Sequence, residues 1–219
     1  LEQALACYEA ADEWRKQGRI REIGFSTHGS CALITKAIET NLFDHVNIHW
    51  YYIFQDNWPA IQAARARDMG IFIISPNDKG GLLYRPSERL CELTAPLHPM
   101  VFNGLFCLMH EEVHTLSCGI SKASDFDVHM ETVRLRERAG EIVPPIVERV
   151  EQAMAESVGA RRAATWDSGV PEWESMPGQI NARWILRLRN LAIAYDMIEY
   201  GKMRYNMLGN GGHWFPGYK

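Results

Sequence analysis

Short apolar segments alternate with amphipathic helical ones from residue 1 to about residue 137, and a chain so ordered has few ways to bury its surface. A strand, a helix and another strand pack as a βα unit of a parallel sheet, because a parallel crossover needs a dozen or more residues. Leu5, Tyr8, Ala11 and Trp14 recur at helical spacing, so residues 1–16 are expected to form a helix that Gly18 ends. Residues 21–27 read as a strand, and Ser30 as the cap of a helix whose apolar face is Leu33, Ile34, Ala37 and Ile38. Residues 45–52 are rich in β-branched and aromatic types and predict a second strand; residues 58–69 predict a helix closed by Gly70. The unbroken apolar run of residues 71–75 predicts a third strand covered on both faces. A loop with Asn77, Asp78, Lys79, Gly80 and Gly81 follows, then a helix over residues 99–112 and a fourth strand over 115–120. Ser124 is expected to cap a helix running to about Arg138.

Beyond residue 140 the pattern changes. Pro144 and Pro145 are expected to open another helix, residues 161–179 are polar, and a long helix is expected over residues 182–207. In that helix Trp184, Tyr195, Met197, Tyr200, Met203 and Tyr205 form the apolar side, and Arg183, Arg187, Arg189 and Lys202 the solvated side. His213, Trp214, Phe215 and Pro216 read as an aromatic staple for the C-terminus. The fold class is therefore α/β. Its expected form is a partial (β/α)₈ TIM barrel of about four βα units over residues 1–139, with a helical extension over 140–219. Four units are half of a closed barrel and leave two sheet edges, so association with itself or with a partner chain is expected.

Composition narrows the function. The chain is 47% hydrophobic and 23% charged with a formal net charge of -4, and its cations are scattered, which argues against nucleic acid as a partner. Its five cysteines are odd in number and form no C-x-x-C pair, the pattern of reduced cytoplasmic thiols and not of a disulfide framework or an iron–sulfur cluster. No apolar run reaches the roughly 18 to 20 residues of a membrane span. The start at Leu1 inside an expected helix suggests a fragment.

In a barrel the chemistry sits where strands end. Ser26, Thr27 and Asn47 offer short neutral donors and acceptors suited to a carboxamide. Ser75, Pro76, Asn77, Lys79, Gly80 and Gly81, together with Ser121, Lys122 and Asp125 at the start of the last helix of the repeat, offer cations and backbone amides suited to phosphate.

The segment Gly18 through Gly29, G-R-I-R-E-I-G-F-S-T-H-G, resembles the fifth strand of the aldo/keto reductases. Residues 46–52, 75–81 and 119–125 resemble that family's sixth, seventh and eighth strand ends, in the same order. The resemblance implies an NADP(H)-dependent oxidoreductase, with NAD(H) as the alternative cofactor, acting on a small carbonyl substrate. It carries the carboxamide contact to Ser26, Thr27 and Asn47, and the pyrophosphate and adenosine-phosphate contacts to Ser75 through Gly81 and to Ser121, Lys122 and Asp125. The family's catalytic Asp, Tyr, Lys and His lie on its first four strands, upstream of the matched region. A branch of the family carries a ferredoxin-like extension, but no cysteine follows Cys118 here. Two other readings stay open. One is a non-catalytic half-barrel interaction module. The other is a zinc hydrolase using His110, Glu111 and His114, the literal H-E-x-x-H of residues 110–114. His45 and His49 share a strand face and are read as packing residues and not as metal ligands.

Overall fold

Val46, Ile48, Ile71 and Ile73 are β-branched residues of the kind that favour a pleated, packed surface, and none has measurable exposure. In the computed structural model, which describes residues 1–210 and 216–217, they lie in the middle of one four-stranded parallel sheet. The strands β1 (Gly24–Ser26), β2 (His45–Ile48), β3 (Gly70–Ile74) and β4 (Thr115–Ser117) are ordered β1-β2-β3-β4, each beside its successor. The register sets Phe25 beside Val46, Val46 beside Ile71 and Ile48 beside Ile73, so one face collects the apolar side chains.

The other face carries Ser26, Asn47, Phe72 and Thr115 in one row, and none of these is buried. Burial along β3 alternates, which corrects the expectation that residues 71–75 are covered on both sides. The physical reason is a single helical layer. Ile34, Ile61, Ala64, Val101 and Leu105, from α2 (Cys31–Ile38), α3 (Trp58–Arg65) and α5 (Pro99–Leu108), share a core with Val46, Ile48, Ile71 and Ile73. The first helix, α1 (Glu2–Lys16), sits at the margin: it buries no residue fully and leaves Trp14 55% exposed.

The expected strands over 21–27, 45–52 and 115–120 shorten to β1, β2 and β4, the helix over 99–112 ends at Leu108, and three further boundaries shift. The helix α3 stops at Arg65 and Gly70 opens β3, because Asp68 takes the left-handed conformation (φ 54°) and turns Met69 into the core. Pro144 and Pro145 do not open a helix but lie inside α7 (Ala139–Val158). The carbonyls their missing N–H groups would have met belong to Gly140 and Glu141, both exposed and able to bond water. The expected helix over residues 182–207 is two helices, α9 (Ala182–Tyr195) and α10 (Ile198–Tyr205). Asp196 (φ 53°) breaks it, which lets both Tyr195 and Tyr200 point inward, where their hydroxyls donate to Val150 O (3.1 Å) and Lys79 O (2.7 Å).

The extension is tied to the sheet unit through α4 (Glu88–Thr94): Ser87 Oγ donates to Tyr195 O (2.6 Å) and Arg89 Nε to Ala194 O (2.7 Å). Two further helices, α6 (Asp125–Leu135) and α8 (Ala160–Thr165), complete the helical set described. Arg187, expected on the solvated side, is buried. It pairs with Asp56 Oδ1 at 2.6 Å and lies over the rings of Phe54 (4.9 Å) and Trp184 (5.4 Å). Of the expected aromatic staple, His213, Trp214 and Phe215 lie outside the described residues; Pro216 is buried and its carbonyl accepts from Asn181 N at 2.8 Å. Among the described residues no helix is long and apolar enough to cross a membrane.

Candidate functional site

The C-terminal ends of the four strands gather most of the polar residues singled out above. Ser26 and Asn47 are register partners on the uncovered face, one exposed and one half-buried, so their side chains are neighbours. Thr27 turns back on its own loop, its Oγ1 accepting from Gly29 N at 2.9 Å.

The next residue, His28, stacks on His49, with ring centroids 4.9 Å apart and planes 13° from parallel. His49 is buried, its Nδ1 pairs with the Tyr51 hydroxyl, and that hydroxyl donates to Ile74 O at 2.7 Å. Its pKa falls from 6.5 to about 3, first because burial disfavours the charged ring, then because Lys79, His28 and Arg204 stand close. His45, by contrast, lies over Gly24 and packs on Phe72 at 5.3 Å, so the two histidines read as sharing a strand face serve different places.

The loop after β3 is built for close approach. Ser75 is left-handed (φ 54°), and Lys79 N donates to its carbonyl at 3.1 Å. Pro76 O accepts from Asn103 Nδ2 at 2.8 Å, and a Cβ on Gly80 would stand 1.8 Å from that same carbonyl, so only glycine fits. Asn77 is buried and its carbonyl accepts from Leu83 N at 2.7 Å. Gly81 (φ 134°) completes the turn.

This geometry carries Lys79 across the strand ends to His28, with Nζ and Nε2 2.9 Å apart. Lys79 forms no ion pair among the described residues, and its pKa is lowered by burial and by Arg204. Arg204 is 2% exposed, and burial lowers its pKa too; Tyr200, one turn before it on α10, is pushed up to about 12 by burial. The end of β3 is thus a crowded, partly dry, positively charged place.

At the end of β4 the expected cap is replaced. Ser124 makes no side-chain cap bond; instead Asp125 Oδ2 accepts from Ser121 N (2.7 Å) and Lys122 N (3.0 Å). The carboxylate is buried and held below the usual range by those two amides, against a desolvation that acts the other way. The backbone donors expected to receive phosphate there are therefore already taken, leaving the exposed side chains of Ser121 and Lys122. Asp125→Ala is expected to lower stability, because the Ser121 and Lys122 amides lose their acceptor, readable as a drop in urea midpoint without loss of helical signal.

The H-E-x-x-H reading meets a different local structure. The helix α5 ends at Leu108, so residues 110–114 are not helical. His110 Nδ1 pairs with Phe106 O at 2.8 Å and His114 Nδ1 accepts from Ile71 N at 3.0 Å. Among the described residues no three His, Cys, Asp or Glu side chains are grouped to hold a metal.

The strand ends so combine Ser26, Asn47, Lys79 and the glycine turn into one edge, with Ser121, Lys122 and Asp125 at its far end. Tyr200 and Arg204 join this edge without any signal in the strand pattern; the one hint is that they lie four residues apart and share a helix face, and Tyr51 joins it from within the expected second strand. No protein-family model matches this chain, and no curated protein matches it.

Proposed function

We propose that this chain is an NAD(P)H-dependent oxidoreductase of the aldo/keto reductase type, its four βα units being half of a (β/α)₈ barrel. Two features of the fold support the barrel half. Strands run in sequential order with no reversal, and their apolar side chains lie on one face, whereas a doubly wound sheet reverses its order and is covered on both. The uncovered face, with Ser26, Asn47 and Phe72, is then the barrel interior.

The observation that carries the cofactor reading is Lys79. A cation held partly out of water, with Arg204 near it and only the adjoining Asp78 to offset that charge, is a favourable place for an anion to bind. Lys79, held by the buried Gly80–Gly81 turn that packs on Pro76 O, supplies a charge for a pyrophosphate. Ser26 on β1 and Asn47 on β2, neighbours in register, can donate to and accept from a nicotinamide carboxamide and so fix the ring. The bound cofactor supplies a hydride to a carbonyl carbon. The proton for the carbonyl oxygen belongs, in this reading, to the tyrosine the family carries on its first four strands.

Titration with NADPH and with NADH, followed by nicotinamide fluorescence, tests the assignment. Saturable binding is expected, and Lys79→Ala should weaken it roughly tenfold to a hundredfold, the worth of a charge-assisted contact to phosphate. Lys122→Ala, at an exposed position, should have a smaller effect. No saturation by a folded sample would remove the cofactor reading. The uncovered sheet face favours a second reading, a half barrel completed by another chain, which a mass above 25.0 kDa by light scattering would support.

A further inference from the structure

The apolar residues of α6 fall on two sides of the helix. Thr132 is buried against α5, where a Cβ on Gly104 would meet its Cγ2 at 2.8 Å, and Val128 and Leu135 pack on the core from the same helix. Phe126, Met130 and Val133 recur at i, i+4 and i+7, the spacing of one helix face, and are 59%, 47% and 61% exposed. Among the described residues no other helix exposes three large apolar side chains. We propose that this second face of α6 docks on the same face of a second copy of the chain, the two helices running antiparallel about a twofold axis. The proposal goes beyond the oxidoreductase reading and uses neither edge of the sheet.

An exposed stripe of this kind is kept where something covers it, and the charges beside it select the occupant. Asp127 and Arg134 are exposed and stand seven residues apart, two helical turns, so both flank the stripe on one side. Neither forms an ion pair among the described residues. When two such helices lie antiparallel, with Met130 of each copy against Val133 of the other, Asp127 of each copy comes opposite Arg134 of the other. The twofold axis makes that pair twice.

A parallel pair is disfavoured, because it sets Asp127 beside Asp127 and Arg134 beside Arg134. A partner surface of a single charge sign meets one of the two residues with the wrong charge. The antiparallel copy satisfies both, and it covers an apolar stripe with an apolar stripe of the same length. The contact lies on the outside of the helical layer, since α5 already occupies the inner side of α6. It is therefore separate from completion of the half barrel by another chain, which would run through the strands.

Light scattering of the full chain over a concentration series, at low ionic strength, tests this. The parent should reach twice 25.0 kDa. Val133→Asp should hold the chain at the single-copy mass. Asp127→Arg and Arg134→Asp should each raise the dissociation constant about fivefold or more, because each turns two attractive pairs into two repulsive ones. Carried together in one chain, the two reversals recreate both pairs with their signs exchanged, and should return the dissociation constant to about the parent value. All three positions are exposed, so the helical signal in circular dichroism should match the parent. Trp14→Asp, which removes the exposed ring on α1, should leave the mass unchanged. A parent that stays at 25.0 kDa up to about 100 µM overturns the proposal. So does a larger mass indifferent to the α6 variants, which would belong to the sheet edges, or one abolished by Trp14→Asp. Weakening by both single reversals without recovery in the combined chain overturns it as well, because α6 would then face a surface other than its own copy.

Discussion

Lowering the pH from 7.5 to 5.0 is expected to destabilise the protein by about 2 kcal/mol through His49 alone. The ring is 4% exposed, and its pKa in the folded chain is about 3, against 6.5 when unperturbed. A histidine with a depressed folded pKa contributes stability that is fully present above the unfolded value. That stability is lost as pH falls, because below 6.5 the unfolded chain takes up a proton that the folded chain refuses until about pH 3. Each pH unit in that window removes about 1.4 kcal/mol. His98, half-buried and also lowered chiefly by burial, adds to the slope, so the test is a difference between two proteins. His49→Gln cannot protonate; urea midpoints at pH 7.5 and 5.0 should lie closer together in this variant than in the parent. An unchanged gap would show that His49 is not the group that titrates.

The second large effect is expected at Gly80. Adding a methyl group there sets carbon 1.8 Å from Pro76 O and 2.8 Å from Pro76 C, both backbone atoms that no rotamer change can move. Pro76 O is also fixed by Asn103, which bonds Tyr52 N at 3.2 Å, so the displacement spreads into the core behind the loop. Gly80→Ala should cost about 3 kcal/mol or more, the upper end for forcing an extra carbon into a packed site. NADPH binding should be lost with it, because Lys79 is held by the same turn. Gly140→Ala is the control: the site is helical with nothing within 4 Å of the new carbon, and it should stabilise by about 0.5–1 kcal/mol. Thermal melting of the two variants separates them. A Gly80→Ala protein that melts with the parent would mean that the turn is not as close as it stands here.

How much of this could be read along the chain depends on the range of the forces involved. The helix capped by Ser30, the position of β3 and the glycine-containing loop after Pro76 come from local patterns: capping, an unbroken apolar run and turn residues. They stand where the spacing puts them. The limits of α3, α7 and α9 do not. Each is decided by what a residue some distance away needs: Met69 turning into the core, exposed carbonyls that tolerate Pro144 and Pro145, Tyr200 reaching Lys79 O.

The same division runs through the candidate site. Ser26, Asn47, Lys79 and Gly80 are visible because strand ends are visible, and a parallel sheet brings its ends to one edge. The sequence by itself therefore determined the α/β class, four parallel strands and the edge on which polar residues collect. Only the tertiary structure decided which neighbours those residues meet. It stacked His28 on His49, set Lys79 against His28, buried Arg187 beside Asp56, and filled the Ser121 and Lys122 amides with Asp125. Those contacts are made between side chains up to 131 positions apart, and no periodicity encodes them. They follow from desolvation: once the helical layer and the extension close over the strand ends, each charge and polar group must find a partner within a few ångströms, whichever part of the chain supplies it.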